Sequence, residues 1–414
     1  MTERAQGGSL VGVQFVVEVG PVAHGGHCVA RHDGRVVFVR HALPGERVRV
    51  EVTEGKEGDR FLRGDAVEVL QPSAHRVTPP CPFAGPGRCG GCDFQHADLA
   101  YSRELKAAVV AEQFQRLAGL TVDVPVEPVP GDTEGLRWRT RVEFAVDTDG
   151  RPGLRKHRSH DVVPVDDCLI ATQEVVDSGV LERTWRGSTA VDVIAPSAGP
   201  GVVTVLLPTG EKAAPHVREH VEAGGWSEDF RVGARGFWQV HPGAASTFVG
   251  HVLAELAPQP GERAVDLYAG VGLFAVALAD AVGEDGAVLA VESDERAVRD
   301  ARRNVHSRPQ VEVRRSRVDR ALRPLLQQQV SADLVVLDPP RTGAGRDVVR
   351  EVAALRPRLV AYVACDPAAL ARDVAYAREA GYGIRSLRAF DAFPMTHHME
   401  CIAILEPLAA EDGQ

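Results

Sequence analysis

The stretch Ala361–Asp373, Ala-Tyr-Val-Ala-Cys-Asp-Pro-Ala-Ala-Leu-Ala-Arg-Asp, holds an apolar run that ends at Cys365-Asp366-Pro367. Leu359 to Ala364 reads as a buried strand, and Pro367 cannot continue it, so the Cys365 thiol is expected where strand becomes loop, a common place for reacting groups. A lone cysteine is otherwise a small buried hydrophobe, and only its company gives this one a chemical reading. Phe393-Pro-Met-Thr-His-His-Met-Glu400 leads into a second apolar strand, Cys401 to Leu405. Cys365 is the candidate nucleophile and Glu400, at the head of that strand, the candidate general base, with His398 as the alternative base.

The elements that must position this pair lie upstream. Glu262 to Ala279 reads as a short strand, a turn through Gly270 and Gly272, and a helix. Such a turn lets a ligand approach the backbone closely. The next strand, Ala287 to Val291, ends in Glu292, a carboxylate placed to accept both ribose hydroxyls of an adenosine. Up to this point a dinucleotide and S-adenosylmethionine are both open. A third strand, Ala332 to Leu337, ends in Asp338-Pro-Pro-Arg341. Asp338-Pro-Pro here resembles the fourth motif of class I methyltransferases, which selects S-adenosylmethionine. Carbon 5 of uracil does not take a methyl group unaided. A thiolate adding to carbon 6 makes carbon 5 nucleophilic, and a base must then remove the carbon 5 proton so that the thiol can leave.

Three further patterns concern partners. Cys81, Cys89 and Cys92 crowd a glycine-lined loop, and Cys168 follows far downstream. Seven cysteines in this pattern do not make a disulfide framework, and the four read as ligands to zinc or an iron-sulfur cluster. Between Gln14 and Leu70, five β-type runs (14–19, 27–31, 36–39, 47–53 and 66–70) are separated by Gly25-Gly26, Asp33-Gly34 and Pro44-Gly45, the spacing of a small OB-like barrel. Arg137, Arg139 and Arg141 alternate inside the basic stretch 135–160, with Trp138 and Phe144 interleaved, and are expected to line one strand face and track phosphates. Tyr101 to Leu120 has helical spacing, with Leu105, Val109, Phe114 and Leu117 on one face.

The formal charge of -10 argues against a uniformly basic nucleic-acid binder but not against a local basic face. There is no apolar run long enough to span a membrane, and Met1 to Leu10 is polar without a signal-peptide core, so a cytoplasmic protein without a membrane partner is expected. A monomer is the default.

Taken in order, Ala30–Val48, the four cysteines, Phe237-Trp-Gln-Val240, Asp266-Leu-Tyr-Ala-Gly-Val-Gly272, Asp338-Pro-Pro-Arg, Ala364-Cys-Asp-Pro and Thr396-His-His-Met-Glu resemble the RNA uracil-5-methyltransferases over nearly the whole chain. Ala30–Val48 is the part that resembles a TRAM domain, a companion of RNA-modifying enzymes. The resemblance implies an α/β fold. A Rossmann-like class I methyltransferase domain (236–414) would be joined to an N-terminal OB-like β-barrel of TRAM type (1–72). Between them would lie a central α+β metal-cluster domain (73–235), whose helix over 93–124 packs with the catalytic domain. It also implies Cys365 as nucleophile and Glu400 as base, and Gln239, Tyr268, Glu292 and Asp338, beside Gly270 and Gly272, as contacts to S-adenosylmethionine. Cys81, Cys89, Cys92 and Cys168 would hold a 4Fe-4S cluster, with zinc as the alternative. The RNA partner would be ribosomal RNA, specifically 23S, before transfer RNA, since many tRNA-specific bacterial relatives lack the barrel and the cluster. Ala269, Leu273 and His241 depart from the family pattern near the cofactor residues. The competing readings are a noncatalytic RNA-binding protein with a vestigial cofactor domain, and an enzyme acting on another pyrimidine atom or on cytosine.

Overall fold

Alternating buried and exposed side chains between Gln14 and Gln71 close into a five-stranded barrel in the computed structural model, which describes residues 8–199, 201–208 and 215–409. The polar start of the chain, residues 1–7, lies outside the described residues. The barrel strands are β1 (Gln14–Ala23), β2 (His27–His32), β3 (Arg35–Arg40), β4 (Arg47–Glu54) and β5 (Phe61–Gln71), in the order β1-β2-β3-β5-β4, with β4 pairing back onto β1. Valines 17, 19, 37, 39, 48 and 50 fill its interior. The proline-rich segment after β5 is pinned to the barrel by the fully buried Glu46. Its carboxylate accepts from Arg76 at 2.5 and 2.7 Å and from the backbone N–H groups of Leu43 and Ser73. A buried carboxylate is tolerated when, as here, every lone pair has a donor.

Helix α1 (Leu99–Ala118) starts where the Asp98 side chain accepts from the Tyr101 N–H and ends at Gly119 in the left-handed region. Leu105, Val109 and Phe114 are buried as expected, whereas Leu117 is exposed in the last turn. The buried face also carries Lys106, 1% exposed, whose ammonium is 2.5 Å from the Asp391 carboxylate and donates to the Phe393 carbonyl. This contact ties α1 to the loop that leads to Glu400.

Strand β6 (Val126–Pro128) leaves the middle of the chain and joins the edge of the large sheet. The middle itself folds as β7 (Arg141–Val146), β8 (Pro152–Arg155), β9 (Val162–Pro164), α2 (Gln173–Asp177), β10 (Ala190–Ile194) and β11 (Val203–Leu207), in a sheet ordered β11-β10-β7-β8-β9. A hairpin follows, β12 (His216–Ala223) with β13 (Trp226–Gly233).

The arginine face expected here does not form. Only Arg141 belongs to a strand, and Arg137 has φ +54°. Arg137 makes a two-pronged pair with Asp167 at 2.7 and 2.8 Å, and Arg141 pairs at 2.6 Å with the buried Glu219. Arg139 donates to the Arg141 carbonyl. These guanidinium groups hold the fold together rather than face phosphates.

The C-terminal half is a doubly wound sheet. It comprises α3 (Ala244–Leu256), β14 (Arg263–Leu267), α4 (Leu273–Val282), β15 (Ala287–Glu292), α5 (Glu295–Asn304), β16 (Val311–Arg315), α6 (Val318–Gln327) and β17 (Leu334–Leu337). It continues through α7 (Arg346–Ala354), β18 (Leu359–Ala364), α8 (Pro367–Glu379), β19 (Tyr382–Asp391) and β20 (Glu400–Pro407). The order is β16-β15-β14-β17-β18-β20-β19-β6, parallel from β16 to β18, with β20 antiparallel to both its neighbours. Succession reverses direction between β14 and β17, so a crevice opens at their carboxyl ends, where ligands of such sheets bind. Among the described residues no helix is long and apolar enough to cross a membrane.

Replacing Lys106 with alanine leaves Asp391, 0% exposed, with only Arg103 at 3.1 Å. A loss of about 3 kcal/mol in urea-unfolding stability is expected, the lower end for breaking a buried pair because one cation remains. A loss below about 1 kcal/mol contradicts the anchoring role.

Candidate active site

Each chemical side chain is delivered by the end of a buried strand. Tyr268 follows β14, Glu292 closes β15, Asp338 follows β17 and Cys365 follows β18. Every residue of β18 is buried, as expected for a strand covered on both faces. It stops where Pro367 opens α8 and the Asp366 side chain caps it by accepting from the Ala369 N–H at 2.8 Å. Strand β20 runs antiparallel to β18 with Ala364 opposite Cys401. One step outward on both strands therefore sets Cys365 against Glu400 at the sheet edge.

These residues line a single cleft of about 1330 Å³ that includes Gln239, Tyr268, Gly270, Glu292, Asp338, Cys365 and Glu400. Gly272 is not in its wall. It is the N-cap of α4, with φ +90°, and faces Ala301, so its role is the turn itself. Glu292 is held in place by the N–H groups of Gly270, Ser293 and Asp294, at 3.0, 2.6 and 2.7 Å. Asp266, nearly fully buried, accepts from the Ala275 N–H at the start of α4, and burial pushes its carboxyl well up. None of the three departures from the family pattern lines the cleft. Ala269 and Leu273 pack into the core, and His241 is buried against Trp138 with stacked rings 5.9 Å apart.

Around Cys365, Asp338 and Glu400 the cleft holds little compensating charge, although arginines line its wall elsewhere. Burial raises Asp338, and burial together with the neighbouring Asp338 raises Glu400, which is 3% exposed, well above the ordinary carboxylate range. The Cys365 thiol is pushed up to about 12, first by burial and then by Glu400 and Asp338. Arg341 is the cation that opposes both shifts. Its guanidinium contacts His398 Nε2 at 3.2 Å, and among the described residues no carboxylate lies within salt-bridge distance of it. His398, lowered to about 3 by burial and by His397, lines a second cavity rather than the cleft. Arg341 and the exposed Phe237, part of the motifs Asp338-Pro-Pro-Arg and Phe237-Trp-Gln-Val, receive no site role from sequence, because the direction of a side chain at the end of a motif has no local signal.

The four candidate metal ligands gather in one neighbourhood. Cys89 is raised to about 11 by burial, with Cys168 and Cys81 adding to the shift, and Cys92 is raised by burial and by Cys168 and Cys89. The opposing cation is Arg139. The Gly91 N–H reaches the Cys89 sulfur at 3.4 Å and Gln95 Nε2 reaches that of Cys92 at 3.4 Å. Among the described residues no group of three or more His, Cys, Asp or Glu side chains is closed into a metal-holding arrangement, so the central metal-cluster domain is not shown.

Residues 8–67 match the TRAM domain and residues 215–407 match tRNA (Uracil-5-)-methyltransferase. An uncharacterized RNA methyltransferase of Streptomyces coelicolor is 52% identical over 97% of this chain and 94% of its own length. The 23S rRNA (uracil(1939)-C(5))-methyltransferase RlmD of a Shewanella species is 32% identical over 92% of this chain and 93% of its own. Among solved structures, the tRNA (uracil-54, C5)-methyltransferase of Pyrococcus abyssi with S-adenosyl-L-homocysteine superposes with a TM-score of 0.67. It is 22% identical, covering 94% of this chain and all of that one.

A thiol held near 12 is protonated at neutral pH. Alkylation of Cys365 by iodoacetamide, followed by peptide mass spectrometry, is expected to rise about tenfold per pH unit from pH 7 to 10. A plateau below pH 9 contradicts the desolvated site.

Proposed function

Because the chain belongs to the S-adenosylmethionine-dependent RNA (uracil-5-)-methyltransferases, we propose that it methylates carbon 5 of a uridine in 23S ribosomal RNA through a covalent Cys365 adduct that Glu400 resolves. The observation that carries this reading is the β18–β20 register, which sets thiol and carboxyl side by side in one cleft. The choice of 23S ribosomal RNA rests on the relative named for that substrate, which spans 92% of the chain, barrel included. Transfer RNA is the alternative substrate.

The end of the cleft at Asp338 and Glu400 suits a positively charged group. Burial raises both Asp338 and Glu400 and Asp338 raises Glu400 further, and a positive charge between the cleft walls opposes these shifts. Gln239, Tyr268, Gly270, Glu292 and Asp338 would hold S-adenosylmethionine, which supplies an electrophilic methyl group when bound. Cys365 Sγ adds to carbon 6 of the flipped uracil, its proton leaving to solvent or base, and carbon 5 becomes the nucleophile. Once carbon 5 carries the methyl group, the Glu400 carboxylate takes the carbon 5 proton and the C6–S bond breaks, restoring the thiolate. Glu400 is preferred to His398 because it lines the large cleft with Gln239, Tyr268, Asp338 and Cys365, whereas His398 lines only the smaller cavity beyond Cys365 and Arg341. Arg296 and Arg303 on the cleft wall, rather than Arg137, Arg139 and Arg141, are placed to meet RNA phosphates.

Cys81, Cys89, Cys92 and Cys168 are a donor set suited to a 4Fe-4S cluster, with zinc as the alternative: buried thiols that crowd one another ionise readily only around a metal. The reaction needs no electron transfer, so the group would staple the loop between barrel and middle sheet.

Three outcomes are expected. Nucleoside mass spectrometry of unmodified 23S and transfer RNA transcripts incubated with S-adenosylmethionine should show 5-methyluridine in 23S RNA with the wild type and none with Cys365→Ala. Product in transfer RNA alone contradicts the substrate assignment. Calorimetry of S-adenosylmethionine binding at pH 7 in buffers of different ionisation enthalpy should show net proton release, since a cation lowers the raised carboxyls, and less release with the uncharged thioether S-adenosylhomocysteine. Equal release with both contradicts the charge argument. Anaerobically purified protein should be brown, and a colourless zinc protein contradicts the cluster.

A further inference from the structure

The barrel reaches the loops of Cys365 and Glu400 through the turn between β1 and β2. His24 Nε2 in that turn stands 3.1 Å from the Asp366 carboxylate, next to the nucleophile. The other Asp366 oxygen caps α8 through the Ala369 N–H, so His24 braces the group that fixes the first turn after Cys365. Two residues on, Gly26 has φ +77°, and a Cβ there would come within 2.7 Å of His397 Cβ and 3.2 Å of Asp93 Cβ. Only glycine allows the turn to lie against His397 this closely. His397 is itself held by Asp93, which accepts from its backbone N–H at 3.0 Å and from Nδ1 at 2.6 Å, and Asp93 returns to the barrel through Arg40 at 3.4 Å. The turn therefore touches the loop of Cys365 and the loop of Glu400 together.

A cavity of about 120 Å³ lies between the turn and these loops, walled by His24, Gly26, Asp366 and His397, and it meets the large cleft at Cys365 and Arg341. Cys365 is thus bounded by the cofactor cleft on one side and by the barrel on the other.

We propose that the barrel is a structural part of the active site, its β1–β2 turn clamping both catalytic loops, and that His24 is a positioning residue for Cys365 acting through Asp366. A purely RNA-gripping barrel needs no contact with the residue after the nucleophile. The hydrogen bond to Asp366 raises the proton affinity of His24, as expected of a pair that forms in the folded protein. Removing His24 frees the Asp366 carboxylate to turn away from the α8 cap, and the thiol loses its fixed line toward carbon 6.

The inference rests on the reaction proposed above, and the experiment separates the two. Full-length wild type, His24→Ala and His24→Gln are compared by backbone hydrogen exchange over residues 366–370 and 396–400 without RNA, and by kcat and KM on the RNA in which wild type forms 5-methyluridine. His24 is partly exposed, so the variants are expected to fold. His24→Ala should speed exchange at Ala369 and lower kcat about tenfold with KM for RNA within about twofold, and His24→Gln, which keeps a donor, should restore most of both. Exchange and kcat both within about twofold of wild type overturn the proposal. So does a loss of kcat that disappears well below the melting transition, since that marks general destabilisation. If wild type forms no methylated uridine in any RNA, the proposed reaction has failed, and the exchange measurement still decides the clamp.

Discussion

The antiparallel pairing of β20 with β18 is the constraint on which the site depends. Ala364 opposite Cys401 fixes which side chains meet at the sheet edge. A slip of one residue would turn every side chain of β20 to the opposite face. Slippage is prevented because both strands are apolar through their length, with Val360, Tyr362, Ile402 and Ile404 all buried between helices on either face. The Cys365–Glu400 juxtaposition is thus a by-product of core packing, held by the hydrophobic burial of two strands rather than by any bond between the two reacting groups.

The same burial sets the chemistry. A thiol and two carboxyls share a buried wall, where burial raises all three, Asp338 raises Glu400, and both carboxyls raise the thiol. The Cys365 thiol of the free protein is consequently protonated at neutral pH. Arg341 supplies part of the missing positive charge, and under the proposed function a cationic ligand would supply more. A cation in the cleft would then favour the ionised forms of Cys365 and Glu400.

What could be read from the sequence was local. The run Leu359–Ala364 and its stop at Pro367 appear in the structure as β18 and the start of α8, because strand burial and proline chemistry are decided within a few residues. The barrel strands were legible for the same reason, although β5 begins at Phe61 instead of Ala66, since Arg63, Gly64 and Asp65 obscure its alternation. What the sequence did not show was how particular side chains are claimed by distant partners. The alternation of Arg137, Arg139 and Arg141 suggested a solvent face, but Asp167 and Glu219, far along the chain, claim the first and last of them. The turn at Gly270 and Gly272 was found, but only Gly270 reaches the cleft, because Gly272 is spent on entry into α4. The His24–Asp366 contact joins residues at opposite ends of the chain and leaves no pattern in either neighbourhood.

The central claim is that Cys365 and Glu400 act in succession on one base, and a Glu400→Gln variant tests it most directly. A glutamine keeps the shape of the side chain but cannot take the carbon 5 proton. With S-adenosylmethionine carrying a labelled methyl group and the 23S transcript, the account predicts a protein–RNA adduct that survives denaturing electrophoresis. The adduct should carry the label and be absent when Cys365 is also replaced by alanine. Free labelled 5-methyluridine at the wild-type rate, without adduct, would contradict it.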